Sequence, residues 1–193
     1  MLLEGLKIGF GITGSFCTFS AVLPEIDKIV KEGAFVTPII SEAVDSFDTR
    51  FGKSEDIKQK LKAITGNDVI ATIVDAEPIG PKAMLDVMVV APCTGNTIAK
   101  ICNAITDSPV TMACKAHLRN CKPVVIAIST NDGLGANAKN IGQLLNTKNI
   151  YLVPFGQDNP AIKPNSLVSK VELLIPTILE AINGKQLQPV LVK

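Results

Sequence analysis

The chain has 193 residues, 47% of them hydrophobic, with 19 basic against 18 acidic side chains and a formal net charge of +1. That length suits one domain with a mostly aliphatic core, because there is no Trp and only one Tyr. The balanced charge, with no basic block, argues against nucleic acid as a partner, and no apolar run approaches the roughly 18 residues of a membrane span.

KIGFG (7–11) is a short apolar run ending in glycines and reads as a buried strand. Phe16, Phe19, Val22, Leu23, Ile26, Ile29 and Val30 then recur at helical spacing. Ser15 is the expected N-cap, and Pro24 is expected to kink that helix or mark where it becomes regular. FVTPII (35–40) reads as the second strand, 42–54 as a polar loop and SEDIKQKLKAIT (54–65) as a helix with Ser54 as its cap. DVIATIVD (68–75) reads as a short strand, and DVMVVAP (86–92) is the clearest buried strand of the chain. Helices are predicted over 95–105, 108–120 and 137–146, and strands over 122–129 and 150–155. GQDNPAIKPN (156–165) is expected to be a mobile or partner-contacting loop. Leu167, Val171, Leu174, Ile178 and Ile182 predict one closing helix over 165–182, with Pro176 inside it. The tail, 184–193, is expected to be a surface strand or arm.

Strands and helices alternate, and the strands are continuously apolar. This predicts a single-domain α/β fold over 1–193: a doubly wound, Rossmann-like or flavodoxin-like, mostly parallel sheet with helices on both faces. The start of the chain, with Glu4 and no basic n-region, does not read as a signal peptide. Five cysteines (Cys17, Cys93, Cys102, Cys114, Cys121) form no C-x-x-C pair, and His117 is the sole histidine. No metal site is expected, and free thiols suit a reducing cytoplasm.

In such a sheet, ligands sit at the carboxyl ends of the strands. Gly9-x-Gly11-x-x-Gly14 has the spacing of a dinucleotide fingerprint, with Glu42 near the place of the expected ribose acid. The same loop suits any phosphate: Gly14 admits the anion, and Thr13 and Ser15 add hydroxyl donors. A second loop, APCTGNTIAK (91–100), clusters Thr94, Asn96 and Thr97 after the best strand. A nicotinamide and a mononucleotide both remain open on these residues alone.

GITGS (11–15), Ser41 and APCTGNTIAKI (91–101) together resemble the homo-oligomeric flavin-containing cysteine decarboxylase superfamily, which includes the flavin prenyltransferases. Where decarboxylases carry P-x-S-A-N-T, this chain has Pro92-Cys93-Thr94-Gly95-Asn96-Thr97. The prenyltransferase pattern is similar over 98–128. The resemblance implies FMN. In the loop that Gly11 opens, it implies phosphate at Thr13, Gly14 and Ser15, the ribityl chain near Ser41, and the ring edge near Pro92, Cys93, Thr94 and Thr97. Asn96 is the candidate catalytic donor, to a substrate carboxylate or a flavin carbonyl. Asn131 and Asn137, flanking DGLGA (132–136), are candidate substrate contacts on a glycine-hinged lid. Cys93 is either a redox group or a small apolar filler, and His117 reads as a partly exposed helix residue. Lys100, Lys115, Arg119 and Lys122 are candidates to hold a dicarboxylate across a subunit interface, or are simply solvated.

The departures narrow the activity. The decarboxylases' catalytic histidine falls on Pro78 here, and their P-x-M-N-x-x-M-W segment is replaced by STNDGLGANAKN (129–140). The prenyltransferases' Arg-Glu pair is replaced by Ser129-Thr130-Asn131. Over its whole length the chain resembles the dipicolinate synthase B-subunit family of spore-forming bacteria. That resemblance implies oxidation of dihydrodipicolinate to dipicolinate together with a separate Rossmann-type partner, the dipicolinate synthase A-subunit, through which the nicotinamide acceptor is supplied. It implies a homo-oligomer, trimer or dodecamer, in the cytoplasm of the mother cell during sporulation. It leaves open whether FMN is retained. The alternatives are a flavin-dependent decarboxylase of the cysteine type and a non-catalytic flavin-fold protein that stabilises the Rossmann-type partner.

Overall fold

In the computed structural model, which describes residues 1–192, five strands run parallel: β1 (Lys7–Ile12), β2 (Phe35–Ile40), β3 (Val87–Cys93), β4 (Val124–Thr130) and β5 (Ile150–Leu152). They lie in the order β2-β1-β3-β4-β5, the flavodoxin-like winding. Two further strands, β6 (Phe155–Asn159) and β7 (Lys163–Ser169), form an antiparallel hairpin. β7 joins the last residues of β4 through Ser129↔Val168 and Thr130↔Leu167. The first half of β4 therefore borders β5 and its carboxyl end borders the hairpin, which carries β6–β7 to the ligand end of the sheet.

Residues alternate between two cores. Ile8, Phe10, Ile12, Val87, Val89 and Ala91 pack with helices α1 (Phe19–Lys31) and α3 (Ser54–Thr65), which flank α2 (Glu42–Ser46) in the chain. α8 (Leu174–Ile182) covers the same face. Met88, Val90, Val124, Ile126 and Ile128 pack with α5 (Gly95–Cys102), α6 (Pro109–Arg119) and α7 (Ala138–Leu145) on the other face. Period-2 burial on both faces is why these strands read as unbroken apolar runs. No helix among the described residues is long and apolar enough to cross a membrane.

Gly9 and Gly11 lie inside β1, facing the second core. A Cβ on Gly11 would stand 3.0 Å from Met88 Cε and from Val110 Cγ1, and one on Gly9 would meet Leu85 and Met88. Two of the three fingerprint glycines are thus packing residues within a strand. Only Gly14 lies beyond it, so the dinucleotide spacing does not mark a dinucleotide loop.

Other expectations are corrected. A 3-10 turn (Phe16–Thr18) precedes α1, Thr18 holds its N-cap position, and the helix begins five residues before Pro24. Ser54 is the first residue of α3, not its cap. The strand expected at 68–75 reduces to one bridge, Ile39↔Ile70, followed by the short helix α4 (Ile73–Ala76). The Thr72 side chain decides this by accepting the Asp75 amide at 3.1 Å. The loop expected at 156–165 is the β6–β7 hairpin, and the strand expected at 150–155 breaks after Leu152. The helix expected over 165–182 is β7, a 3-10 turn (Val171–Leu173) and α8. Its helical spacing joined residues of two cores: Leu167 packs on the second face, Leu174 and Ile178 on the first. Ser169 holds the strand in place, its hydroxyl accepting from Ile128 N at 2.8 Å and donating to Val153 O at 3.1 Å. The tail follows the sheet edge, where the Gln186 side chain bonds both Leu152 N and Leu152 O.

His117 is buried, not partly exposed, and its Nε2 has no hydrogen-bond partner. Burial, aided by Lys122, pushes its pKa down from the ordinary 6.5 to about 4. The folded chain therefore keeps this imidazole neutral at pH values where the unfolded chain protonates it. Stability from this group is complete above pH 6.5 and is lost as the pH falls towards 4. Denaturant titrations should show that part of the acid-side loss absent in His117→Gln; an unchanged slope in the variant would refute this assignment.

Candidate functional site

A cleft of about 570 Å³ opens at the carboxyl ends of β1, β3 and β4, under the β6–β7 hairpin. Its first wall is the loop after β1, with Gly14, Ser15, Cys17 and Thr18. Its second is the start of α5, with Thr94, Gly95 and Asn96. Its third is the end of β4 and the residues that follow, Ser129 to Asp132, and its rim is Asp158, Lys163, Ser166, Leu167 and Val168.

Thr13 joins the first two walls. It is buried, its hydroxyl donates to Pro92 O at 2.7 Å and it accepts the Thr94 amide at 2.9 Å. The bond from Thr13 N to Pro92 O, at 3.2 Å, completes the clamp around the cis Ala91–Pro92 peptide. The hydroxyl expected to meet a phosphate is therefore committed inside the protein. Ser15 does not cap a helix; its Oγ lies 2.8 Å from Ser129 Oγ and ties the first wall to the third.

Thr94 caps α5, accepting the Thr97 amide at 3.4 Å with the two hydroxyls 3.2 Å apart. Thr97 is buried behind the wall. The first amides of a helix have no partner within it, so Gly95 and Asn96 bring unclaimed N–H groups to the cleft. The Asn96 side chain is exposed there. Across the cleft, Asn131 Oδ1 accepts from Ser166 Oγ at 3.4 Å.

The third wall contains a carboxylate not anticipated from the sequence. Asp132 Oδ1 accepts from Thr130 Oγ1 at 2.5 Å and Oδ2 from Asn137 Nδ2 at 2.8 Å. Asn137 is buried and in turn accepts from Asn140 Nδ2 at 2.8 Å. Asn137 therefore supports Asp132 and does not itself line the cleft. Gly95 packs directly against this network, and a Cβ on it would stand 2.7 Å from Asp132 Oδ1. The run of polar residues Ser129-Thr130-Asn131-Asp132 after a fully apolar strand was the signal that could have revealed this wall.

Cys93 is fully buried in the second core. Burial, with Cys114 nearby, raises its pKa well above that of an ordinary thiol. Of the two readings of Cys93, this environment is that of the apolar filler. The expected dicarboxylate lysines lie elsewhere: Lys100 pairs with Asp107 at 2.9 Å and Lys122 with Asp86 at 3.5 Å. Lys115 and Arg119 line a separate groove between α5 and α6. Ser129, Asp132, Asp158 and Lys163 were missed as lining residues.

The fit to a phosphate-bearing ligand rests on two observations. Gly14 faces Ala43 and Phe16 with no Cβ between them, and it stands at the edge of the cleft. Just after β2, two residues before the Ala43 that Gly14 faces but off the cleft walls, the Ser41 hydroxyl is buried without a hydrogen-bond partner. An orphaned buried hydroxyl costs about 1–3 kcal/mol, which a ligand hydroxyl or phosphate would recover.

The sequence matches the Flavoprotein family over residues 2–172. It is 53% identical over 191 residues to the dipicolinate synthase B-subunit of Bacillus subtilis (strain 168), covering 99% of this chain and 96% of that one. The crystal structure of the dipicolinate synthase B-subunit from Bacillus halodurans C superposes with a TM-score of 0.92 at 53% identity, covering 100% of this chain and 99% of that chain. An FMN-dependent cysteine decarboxylase superposes with a TM-score of 0.68 at 19% identity, covering 94% and 99% of the two chains. That last similarity is one of fold.

Proposed function

The chain belongs to the Flavoprotein family, and from that premise we propose that it is the B component of a dipicolinate synthase, with FMN bound in the cleft. The observation that carries this is the 53% identity, over 99% of the chain, to a protein of that name. The cleft supports it with donors in the right chemical class. Gly14 and Ser15 offer a slot for phosphate, and the unpartnered Ser41 hydroxyl, off the cleft walls, is the proposed partner of the ribityl chain. Asn96 and the first turn of α5 face the remaining volume, where the ring would lie. When bound, the flavin supplies a two-electron acceptor for the ring hydrogen lost as a dihydropyridine dicarboxylate becomes aromatic. This chain's part is to orient that substrate, with the amides of Asn96 and Asn131 directed at its carboxylates. The hydride would leave to the flavin and the second hydrogen as a proton to water, and the Rossmann-type partner would supply the nicotinamide that finally accepts the electrons. The same reading carries with it a homo-oligomer, trimer or dodecamer, in the mother-cell cytoplasm.

Reconstitution tests it. Dipicolinate formation should be slow with this chain alone and slow with the Rossmann-type partner alone, and should reach its full rate only when both are combined with a nicotinamide. Asn96→Ala should lower that rate while FMN stays bound. A full rate from the partner alone would mean that this chain only stabilises it.

A further inference from the structure

The cleft is short of positive charge for the ligands it is proposed to take. Among the described residues, Lys163 is the one basic side chain on its walls, against the carboxylates of Asp132 and Asp158. Asp132 is held in place, with both of its oxygens accepting from Thr130 and Asn137. It also stands against Gly95, so the start of α5 already has a carboxylate beside it, which offsets part of its attraction for a second one. A carboxylate entering the cleft beyond the Gly14–Ser15 loop finds its cationic partner in Lys163.

Lys163 opens β7, beside the turn of the hairpin, and its Nζ lies 2.9 Å from Asp158 on β6. Both side chains are well exposed, at 52% and 38%. Ion pairs this exposed contribute little, so exchanging the partner is easy. Asp158 keeps the ammonium protonated, holding its pKa above the usual lysine value. The amides of Asn96 and Asn131 open onto the same space.

We propose that Lys163 is the carboxylate anchor of this cleft, taking one carboxylate of a small dicarboxylic acid in place of Asp158. This rests on the reading that the cleft binds such a substrate. One carboxylate replaces another on Lys163, so no buried charge is left unpaired, and Asp158 turns to solvent. The second carboxylate and the ring then meet the amides on the opposite walls. Asp158 is the built-in competitor, which gives the two members of the pair opposite signs when removed.

Titration of the FMN-saturated chain with dipicolinate, followed by calorimetry, tests this without turnover. Lys163→Met is expected to weaken binding by about tenfold or more, and Asp158→Asn to tighten it. A role in hairpin stability alone would weaken both. FMN and riboflavin titrations separate the two anion sources. The affinity ratio of FMN to riboflavin should be the same in Lys163→Met and the wild type. If it collapses, Lys163 holds the flavin phosphate and the carboxylate assignment is overturned. Wild-type dipicolinate affinity in both variants would also overturn it, with the proposed function left standing. Failure of the wild-type chain to bind dipicolinate at all would remove the substrate reading itself, and the anchor with it.

Discussion

Replacing Gly14 by valine will abolish FMN binding and leave the chain folded. The backbone at Gly14 is not in the left-handed region, so a side chain meets no conformational barrier there. A Cβ would stand 3.3 Å from Ala43 Cβ and 3.5 Å from Phe16 Cε2, contacts that yield with small shifts. The protein side therefore accepts the first carbon. What the valine methyl groups take away is the open approach of an anion to the backbone between Gly14 and Ser15. Affinity should fall by roughly a hundredfold or more, the loss expected when a charged group is denied its hydrogen bonds. Gly14→Ala should fall between the two. Fluorescence titration with FMN, alongside thermal unfolding, checks both halves. Unchanged affinity in the valine variant would place the phosphate elsewhere.

The second large effect is an absence of activity. Neither peptides ending in cysteine nor phosphopantothenoylcysteine will lose carbon dioxide on this protein. Where decarboxylases resembling it carry a histidine, Pro78 stands in a 3-10 turn (Glu77–Ile79), away from the cleft walls. The sole histidine, His117, is buried in α6 with a pKa of about 4. Asp132 is tied up in its own wall, where both of its oxygens accept hydrogen bonds from Thr130 and Asn137. A positioned acid–base group contributes about 10²–10⁴-fold to such reactions, and neither Pro78 nor His117 is on these walls to supply it. Carbon dioxide release at enzymatic rates from either substrate would contradict this account of the cleft.

The sheet was legible because its strands are buried on both faces, which leaves unbroken apolar runs such as 86–92 and 122–129. The hairpin was not, because its outer half is polar and exposed and its inner half, around Leu167, continues the spacing of α8 by coincidence. In the site, the two loops that face each other were legible from their glycines and hydroxyl clusters. Which hydroxyl meets solvent was not. Thr13, Thr94 and Thr97 look alike as donors in the sequence, yet Thr13 is spent on a clamp and Thr94 and Thr97 on a helix cap. Asp132 and Lys163 were invisible for a further reason. They come from segments after β4 and within the hairpin, and only the switch of β4 from β5 to β7 brings them to the same cleft.

The visible spectrum of the purified chain tests the central claim most directly, recorded before and after adding dihydrodipicolinate, with and without the Rossmann-type partner and oxidised nicotinamide. The expected result is a set of oxidised-flavin bands that bleach on adding substrate to this chain. They should return, with dipicolinate formed, once the partner and the nicotinamide are present. A chain that shows no flavin bands and takes up no FMN, while the partner alone forms dipicolinate at the full rate, would contradict it.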